Sequence, residues 1–116
     1  MLIRLALAMT FAAALPLCAE TLATGAEIKA AVAGNTLEGY VTDADPFTEF
    51  CAEDGTIRSD SDTGTWKVDG DRLCVAYGTP ETACWAIKID GETITYKKGG
   101  KDDGSATILK GKPENF

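Results

Sequence analysis

The chain has 116 residues, of which 45% are hydrophobic, and it carries a formal net charge of −7 without a single histidine. This length suits one domain. The negative charge repels phosphates and anionic lipid headgroups, so the composition disfavours nucleic acids and membrane surfaces as partners. The lack of histidine removes Ser–His and Cys–His nucleophilic catalysis and every histidine-containing metal site.

The first nineteen residues have the features of a secretory signal peptide. Arg4 supplies a short basic region, and the apolar stretch 5–15 that follows is too short to span a bilayer. Cleavage after Ala19 would leave the domain 20–116, which carries −8 because Arg4 is the only charged residue removed. Cleavage after Ala23 is the alternative. The predicted location is the periplasm or the external medium, with no membrane association after cleavage.

A short helix is predicted directly after this segment. Thr24 and Glu27 have the spacing of a capping box, in which each side chain accepts a hydrogen bond from the other residue's backbone N–H. The helix is expected over 25–33, with Gly34 as its stop. Its apolar face consists of Ile28, Ala31 and Val32. Because a helix this short is not stable alone, it must pack on a sheet or plug one end of a barrel.

The rest of the chain has the alternating apolar and polar pattern of short β-strands, separated by Asp-Gly turn signals. We predict about eight strands, three of them within 64–89 and the others over 35–42, 47–53, 56–59, 92–98 and 105–110. A loop is expected at 99–104. Short connections imply antiparallel neighbours. The predicted fold is therefore a mainly β, up-and-down meander that closes as a small barrel or a curved sheet, with one N-terminal capping helix.

The stretch 64–89 also predicts a disulfide. Its alternation places Cys74 and Cys84 on the outer face of two neighbouring strands. If the hairpin centres on Thr79, the two cysteines are directly opposite, and the Cα separation of such a pair, about 4.5–5.5 Å, lies within disulfide range. Two free thiols are the alternative. Cys51 is then left over, and we expect a buried free thiol, with an intermolecular link or a bond to one of the other two as alternatives.

Little in the sequence could hold a metal or a cofactor. Asp60-x-Asp62-x-Gly64 is faintly similar to a calcium loop, but glycine stands at the fifth position and Asp71 at the twelfth, where the loop needs glutamate. We expect no metal, no cofactor and no catalytic residue, and hence no enzyme. The carboxylates on predicted strands that could still do acid–base work are Glu38, Glu49 and Glu53.

The aromatic residues are numerous enough to line a cavity. The candidate lining residues are Trp66, Tyr77, Trp85 and Tyr96. An eight-stranded barrel is, however, just wide enough for side chains to fill it. We therefore expect a packed interior, and a small apolar ligand site is the alternative.

The motifs Gly64-x-Trp, Leu-Cys74 and Cys84-aromatic, together with the helix start at 24–28, resemble a family of small secreted proteobacterial proteins of unknown function. The resemblance covers nearly the whole mature chain and implies the same disulfide. The architecture is also similar to the periplasmic metalloprotease inhibitors and other lipocalin-like small barrels. In those inhibitors an N-terminal trunk enters the protease cleft, and by this analogy of fold alone residues 20–24 would form a short trunk here.

These observations predict a monomeric, non-enzymatic binding or interaction module with an unknown protein or small-molecule partner. The first alternative is protease inhibition through residues 20–24, which would then have to project from the domain. The second is carriage of a small apolar ligand, which needs an internal cavity of roughly a few hundred Å3.

Overall fold

The computed structural model describes residues 21–78 and 80–116. The signal peptide predicted over 1–19 and Thr79, on which the predicted hairpin was centred, lie outside the described residues. The described chain is mainly β and confirms the predicted fold class. Its elements are α1 (Gly25–Val32), β1 (Asn35–Val41), β2 (Phe47–Cys51), β3 (Thr56–Arg58), β4 (Thr63–Asp69), β5 (Arg72–Ala76), β6 (Ala83–Asp90), β7 (Thr93–Lys98) and β8 (Lys101–Lys110).

The eight described strands form a closed antiparallel barrel in chain order. The last strand returns to the first, and this β1–β8 pairing runs from Asn35↔Lys110 to Val41↔Gly104. Closure pairs the first and last strands of the meander with each other, so neither β1 nor β8 is left as a sheet edge. The shortest strand is β3, and its pairing with β2 is limited to two residues on each side.

Inward-facing glycines allow the β1–β8 seam to close tightly. A Cβ added at Gly39 would stand 2.0 Å from the carbonyl oxygen of Ser105, and one at Gly104 would stand 2.1 Å from the carbonyl oxygen of Tyr40. Both distances are far below van der Waals contact. Glycine is therefore required where the two backbones approach each other most closely.

One end of the barrel is covered by α1, and we call it the closed end. The capping box between Thr24 and Glu27 is present, α1 ends at Val32, and Gly34 follows with a φ of 76°. Ile28 and Val32 are fully buried in the core. The turns at 52–55, 70–71 and 91–92 lie at this same end. The helix therefore plugs this end of the barrel, which is one of its two predicted placements, and its apolar face completes the core.

The opposite end, which we call the open end, carries the connections 42–46 and 59–62, the described residues 77–78 and 80–82 between β5 and β6, and the turn between β7 and β8. The predicted loop at 99–104 is wrong, since β8 already begins at Lys101. Gly99 and Gly100 both have positive φ and form the whole turn. The polar residues that follow suggested a loop, but they continue the strand, with a bulge at Asp103 that absorbs one extra residue.

The predicted disulfide is confirmed. Cys74 and Cys84 are directly opposite each other in the β5–β6 pairing, with Cα atoms 4.1 Å apart, and their sulfur atoms are bonded. Cys51 is a buried free cysteine on the inner face of β2. The disulfide therefore ties two strands from outside, while the third cysteine belongs to the core.

Candidate functional site

The barrel interior is not completely filled. A cavity of about 580 Å3 occupies the half of the barrel nearer the open end. Its deep part is apolar and formed by inward residues of three strands, namely Leu37, Ile57 and Leu73. Its upper wall is aromatic, and its mouth is formed by the loops of the open end. This is the size of a site for one small ligand.

Three aromatic rings form one side of the cavity. The ring of Tyr96 stands edge-on to that of Phe47, with centroids 6.1 Å apart, and to that of Trp85, with centroids 5.4 Å apart. The indole N–H of Trp85 donates to Asp103 Oδ2 at 2.8 Å. The bulge in β8 thus places the carboxylate that fixes the orientation of the Trp85 ring. Edge-to-face pairs of this kind hold rings in a defined geometry.

Glu49 is a carboxylate on the inner face of the barrel. It pairs with Leu37 across β1 and β2, so both side chains point to the same side of the sheet. The hydroxyl of Tyr77, the first residue after β5, donates to Glu49 Oε2, and this hydrogen bond links β2 to the end of a strand that is not its neighbour. Among the described residues, no other hydrogen-bond donor and no cation contacts Glu49. The second carboxylate oxygen is therefore available to whatever enters the cavity.

Burial dominates the electrostatics of this cluster. It raises the pKa of Glu49, and the hydrogen bond from Tyr77 opposes part of that rise. Burial is the main cause that raises the pKa of the Tyr77 and Tyr96 hydroxyls above their ordinary value, and the nearby Glu49 carboxylate raises it further. Burial and Glu49 also raise the pKa of Cys51 to about 12, so this thiol stays protonated and is not a nucleophile at neutral pH.

The mouth of the cavity is predominantly acidic. Three carboxylates line it, from Asp45, Asp62 and Glu81, and Lys98 is the only cation among the described lining residues. The ammonium group of Lys98 lies 5.7 Å from the centroid of the Trp85 ring, within the range of a cation–π contact. Charge at the entrance is thus negative overall, and one aromatic face is already in contact with an ammonium group.

The predicted lining residues separate into two groups. Tyr77, Trp85 and Tyr96 lie in the cavity wall. Trp66 is instead buried on β4, where its indole N–H donates to the carbonyl oxygen of Ala52 at 2.8 Å. This bond fastens β4 to the turn at 52–55, so Trp66 belongs to the closed end.

Sequence reasoning did not assign Glu49 to the cavity. The alternation of β2 places Phe47, Glu49 and Cys51 on one face of the strand, which is consistent with an inward Glu49. The same alternation places Phe50 on the other face, so the sequence does not decide which of the two faces points inward. Only the pairing with Leu37 decides which set points inward.

Two further expectations concern metal sites and membrane-spanning helices. Within residues 21–78 and 80–116, no group of three or more cysteines and carboxylates is arranged to hold a metal ion, so Asp60 and Asp62 belong to no such group. No helix in the described part of the chain is long and apolar enough to cross a membrane.

Two residues at the end of the N-terminal segment, Ala23 and Thr24, are held by contacts within the domain, whereas Thr21 and Leu22 are exposed. Ala23 is buried in the core, and its N–H donates to the carbonyl oxygen of Ile87 at 2.7 Å. Thr24 is engaged as the N-cap of α1. These two residues therefore do not project from the domain.

Comparison of the chain with protein-family models, with curated proteins and with solved structures finds no match. The function must accordingly be argued from the geometry of the cavity.

Proposed function

We propose that this protein is a non-enzymatic binding protein that holds one small ligand inside its barrel. The observation that carries the proposal is the cavity of about 580 Å3, which has an apolar depth, an aromatic wall and one inward carboxylate. Ligand sites are typically apolar concavities in which a few polar groups orient the ligand. A small eight-stranded barrel can hold one ligand when its side chains leave room for it.

The N-terminal segment favours ligand binding over protease inhibition. An inhibitory trunk at 20–24 would need to leave the barrel surface. Ala23 is held in the core by burial and by its hydrogen bond to Ile87, and Thr24 is held by the capping box. Extending this segment into a protease cleft would break both sets of contacts.

The proposed location is the periplasm or the external medium, with the protein acting as a monomer. A disulfide such as Cys74–Cys84 persists in oxidising compartments and is rare in the cytosol. The proposed signal peptide is cleaved after Ala19 and not after Ala23, because the second cut would remove Ala23 from the core. N-terminal sequencing of the exported protein distinguishes the two sites.

The ligand-binding proposal is tested with a neutral apolar fluorophore, N-phenyl-1-naphthylamine, titrated into the mature, disulfide-bonded protein. Saturable enhancement with one site per chain is expected. Val75 is half-buried in the cavity wall, so Val75→Phe should fill part of the cavity and weaken binding by about tenfold. Thr107 is exposed on the outer face of β8, and Thr107→Phe is the matched control, which should bind as the wild type does.

Native mass spectrometry of protein purified from the periplasm gives a second readout, since a retained ligand adds its mass to the chain. Absence of saturable probe binding, together with a bare protein mass, would overturn the proposal. So would equal loss of binding in Val75→Phe and Thr107→Phe, because the probe would then not occupy the barrel interior.

A further inference from the structure

We infer that the ligand is a small organic cation, with an ammonium group that pairs with Glu49 and an apolar body that fills the rest of the cavity. This inference rests on the proposed function and specifies its chemical class. Three independent features of the described residues support it: the position of Glu49, the aromatic wall and the charge of the mouth.

The first feature is a carboxylate without a counter-ion. Glu49 is half-buried, faces the interior and lines a cavity whose deep part is apolar and whose wall is aromatic. Such a group is costly to ionise unless a positive charge or several hydrogen bonds compensate it. Tyr77 supplies one hydrogen bond, and no lysine or arginine among the described residues pairs with Glu49. A ligand ammonium group would supply both the missing charge and the missing donors.

The second feature is the set of aromatic faces around the same space. Phe47, Tyr77, Trp85 and Tyr96 all line the cavity. Aromatic rings attract cations through the negative potential of their faces, and aromatic cages are used to recognise ammonium groups. The position of Lys98 over Trp85 shows that an ammonium group reaches the required distance to one of these rings.

The third feature is the potential along the entry path. The cavity and its mouth contain four carboxylates and one lysine, and the whole chain carries −7. Clefts lined by charges of one sign attract ligands of the opposite sign and speed their association. An anionic ligand would meet repulsion at the mouth and again at Glu49, while a neutral ligand would leave Glu49 uncompensated.

Three probes that share a phenyl ring and a two-carbon chain separate these cases by charge. At pH 7, 2-phenylethylamine is a cation, 2-phenylethanol is neutral and phenylacetate is an anion. Calorimetric titration into the mature, disulfide-bonded protein should give a Kd for the cation about tenfold lower than for the alcohol. Phenylacetate should bind more weakly than the alcohol.

The decisive variant is Glu49→Gln, which keeps the shape of the side chain and an acceptor for the Tyr77 hydroxyl but removes the charge. It should weaken binding of 2-phenylethylamine by about tenfold and leave that of 2-phenylethanol unchanged. Glu38→Gln is the matched control. Glu38 is exposed on the outer face of neighbouring β1, so this variant should bind all three probes as the wild type does.

The outcomes separate this inference from the proposed function. Equal affinity for the cation and the alcohol, or unchanged cation binding in Glu49→Gln, would overturn the inference while leaving a ligand-binding barrel. Binding of N-phenyl-1-naphthylamine but of none of the three probes would overturn it as well. Failure of all four compounds, together with a bare protein mass in native mass spectrometry, would remove the proposed function too. If Glu38→Gln lost cation binding as strongly as Glu49→Gln, attraction by the overall charge would replace specific pairing.

Discussion

The two ends of the barrel are built from the same alternating strands but contain different interiors. At the closed end, Ile28 and Val32 of α1 fill the space between the strands, and Trp66 is fixed by a hydrogen bond to Ala52. At the open end no helix of the described residues covers the strands, and the inward residues Phe47 and Trp85 line a cavity.

This difference shows that alternation determines which residues face inward, but not whether they fill the space. The closed end has short turns and a helix whose apolar face needs burial. The open end has longer connections and an inward carboxylate, which opposes dry packing because its charge would be buried. A packed core and an unfilled cavity therefore coexist in one small barrel, and substitutions at the two ends should have different consequences.

The largest effect is expected from removing the disulfide, which ties β5 to β6, the two strands that carry Val75 and Trp85 of the cavity wall. The double variant Cys74→Ala/Cys84→Ala should lose about 2–4 kcal/mol of unfolding free energy, because the unfolded chain gains freedom. Since it also loosens the cavity wall, binding of N-phenyl-1-naphthylamine should weaken. Urea unfolding and probe titration check the two effects. A loss of stability with intact binding would show that the open end does not depend on this bond.

A matched pair of valine substitutions compares the two ends directly. Val32 is fully buried at the closed end, so Val32→Ala should cost about 2–3 kcal/mol through lost burial and a new void, with little change in probe affinity. Val75 is half-buried beside an existing cavity, so Val75→Ala should cost about 1 kcal/mol or less and should alter probe affinity. Equal losses of stability from urea unfolding would contradict the distinction between a packed and an open end.

The helix cap offers a smaller test of the closed end. Thr24→Ala removes the side-chain acceptor for the backbone N–H of Glu27 and should lower the unfolding free energy by about 1 kcal/mol. Thr24→Ser keeps the hydroxyl and serves as the control, with stability close to that of the wild type. Thermal unfolding measured by circular dichroism compares the three proteins, and probe affinity should be the same in all of them.

The smallest expected effect is a gain in unfolding free energy, whereas the substitutions above are expected to lower it. The pKa of Glu49 is higher in the folded protein than in the unfolded chain, so the folded state resists ionisation of this carboxyl. Its contribution to stability is fully present below the unfolded pKa and is lost as the pH rises through the folded pKa. Glu49→Gln should therefore be slightly more stable than the wild type at pH 7 and equal to it at low pH. Urea unfolding between about pH 4 and pH 7 tests the sign, because a less stable variant at pH 7 would show that Glu49 holds the fold together.

Local patterns allowed much of the fold to be predicted. The capping box depends on two residues three positions apart, and the disulfide depends on the parity of one hairpin, so both follow from short stretches of chain. The β8 start was missed because Lys101 and Asp102 are polar, and a strand on a barrel exterior tolerates such residues as well as a loop does.

The sequence by itself determined the strand order, the outward position of Cys74 and Cys84 and the apolar face of α1, because each depends on periodicity and on neighbours in the chain. Only the tertiary structure decided that the meander closes, that Trp66 packs at one end while Trp85 lines a cavity at the other, and that Glu49 points inward. Those outcomes depend on pairing between distant strands and on the volume that remains once all inward side chains are in place. Neither the long-range pairing nor the remaining volume can be predicted from a single stretch of the chain.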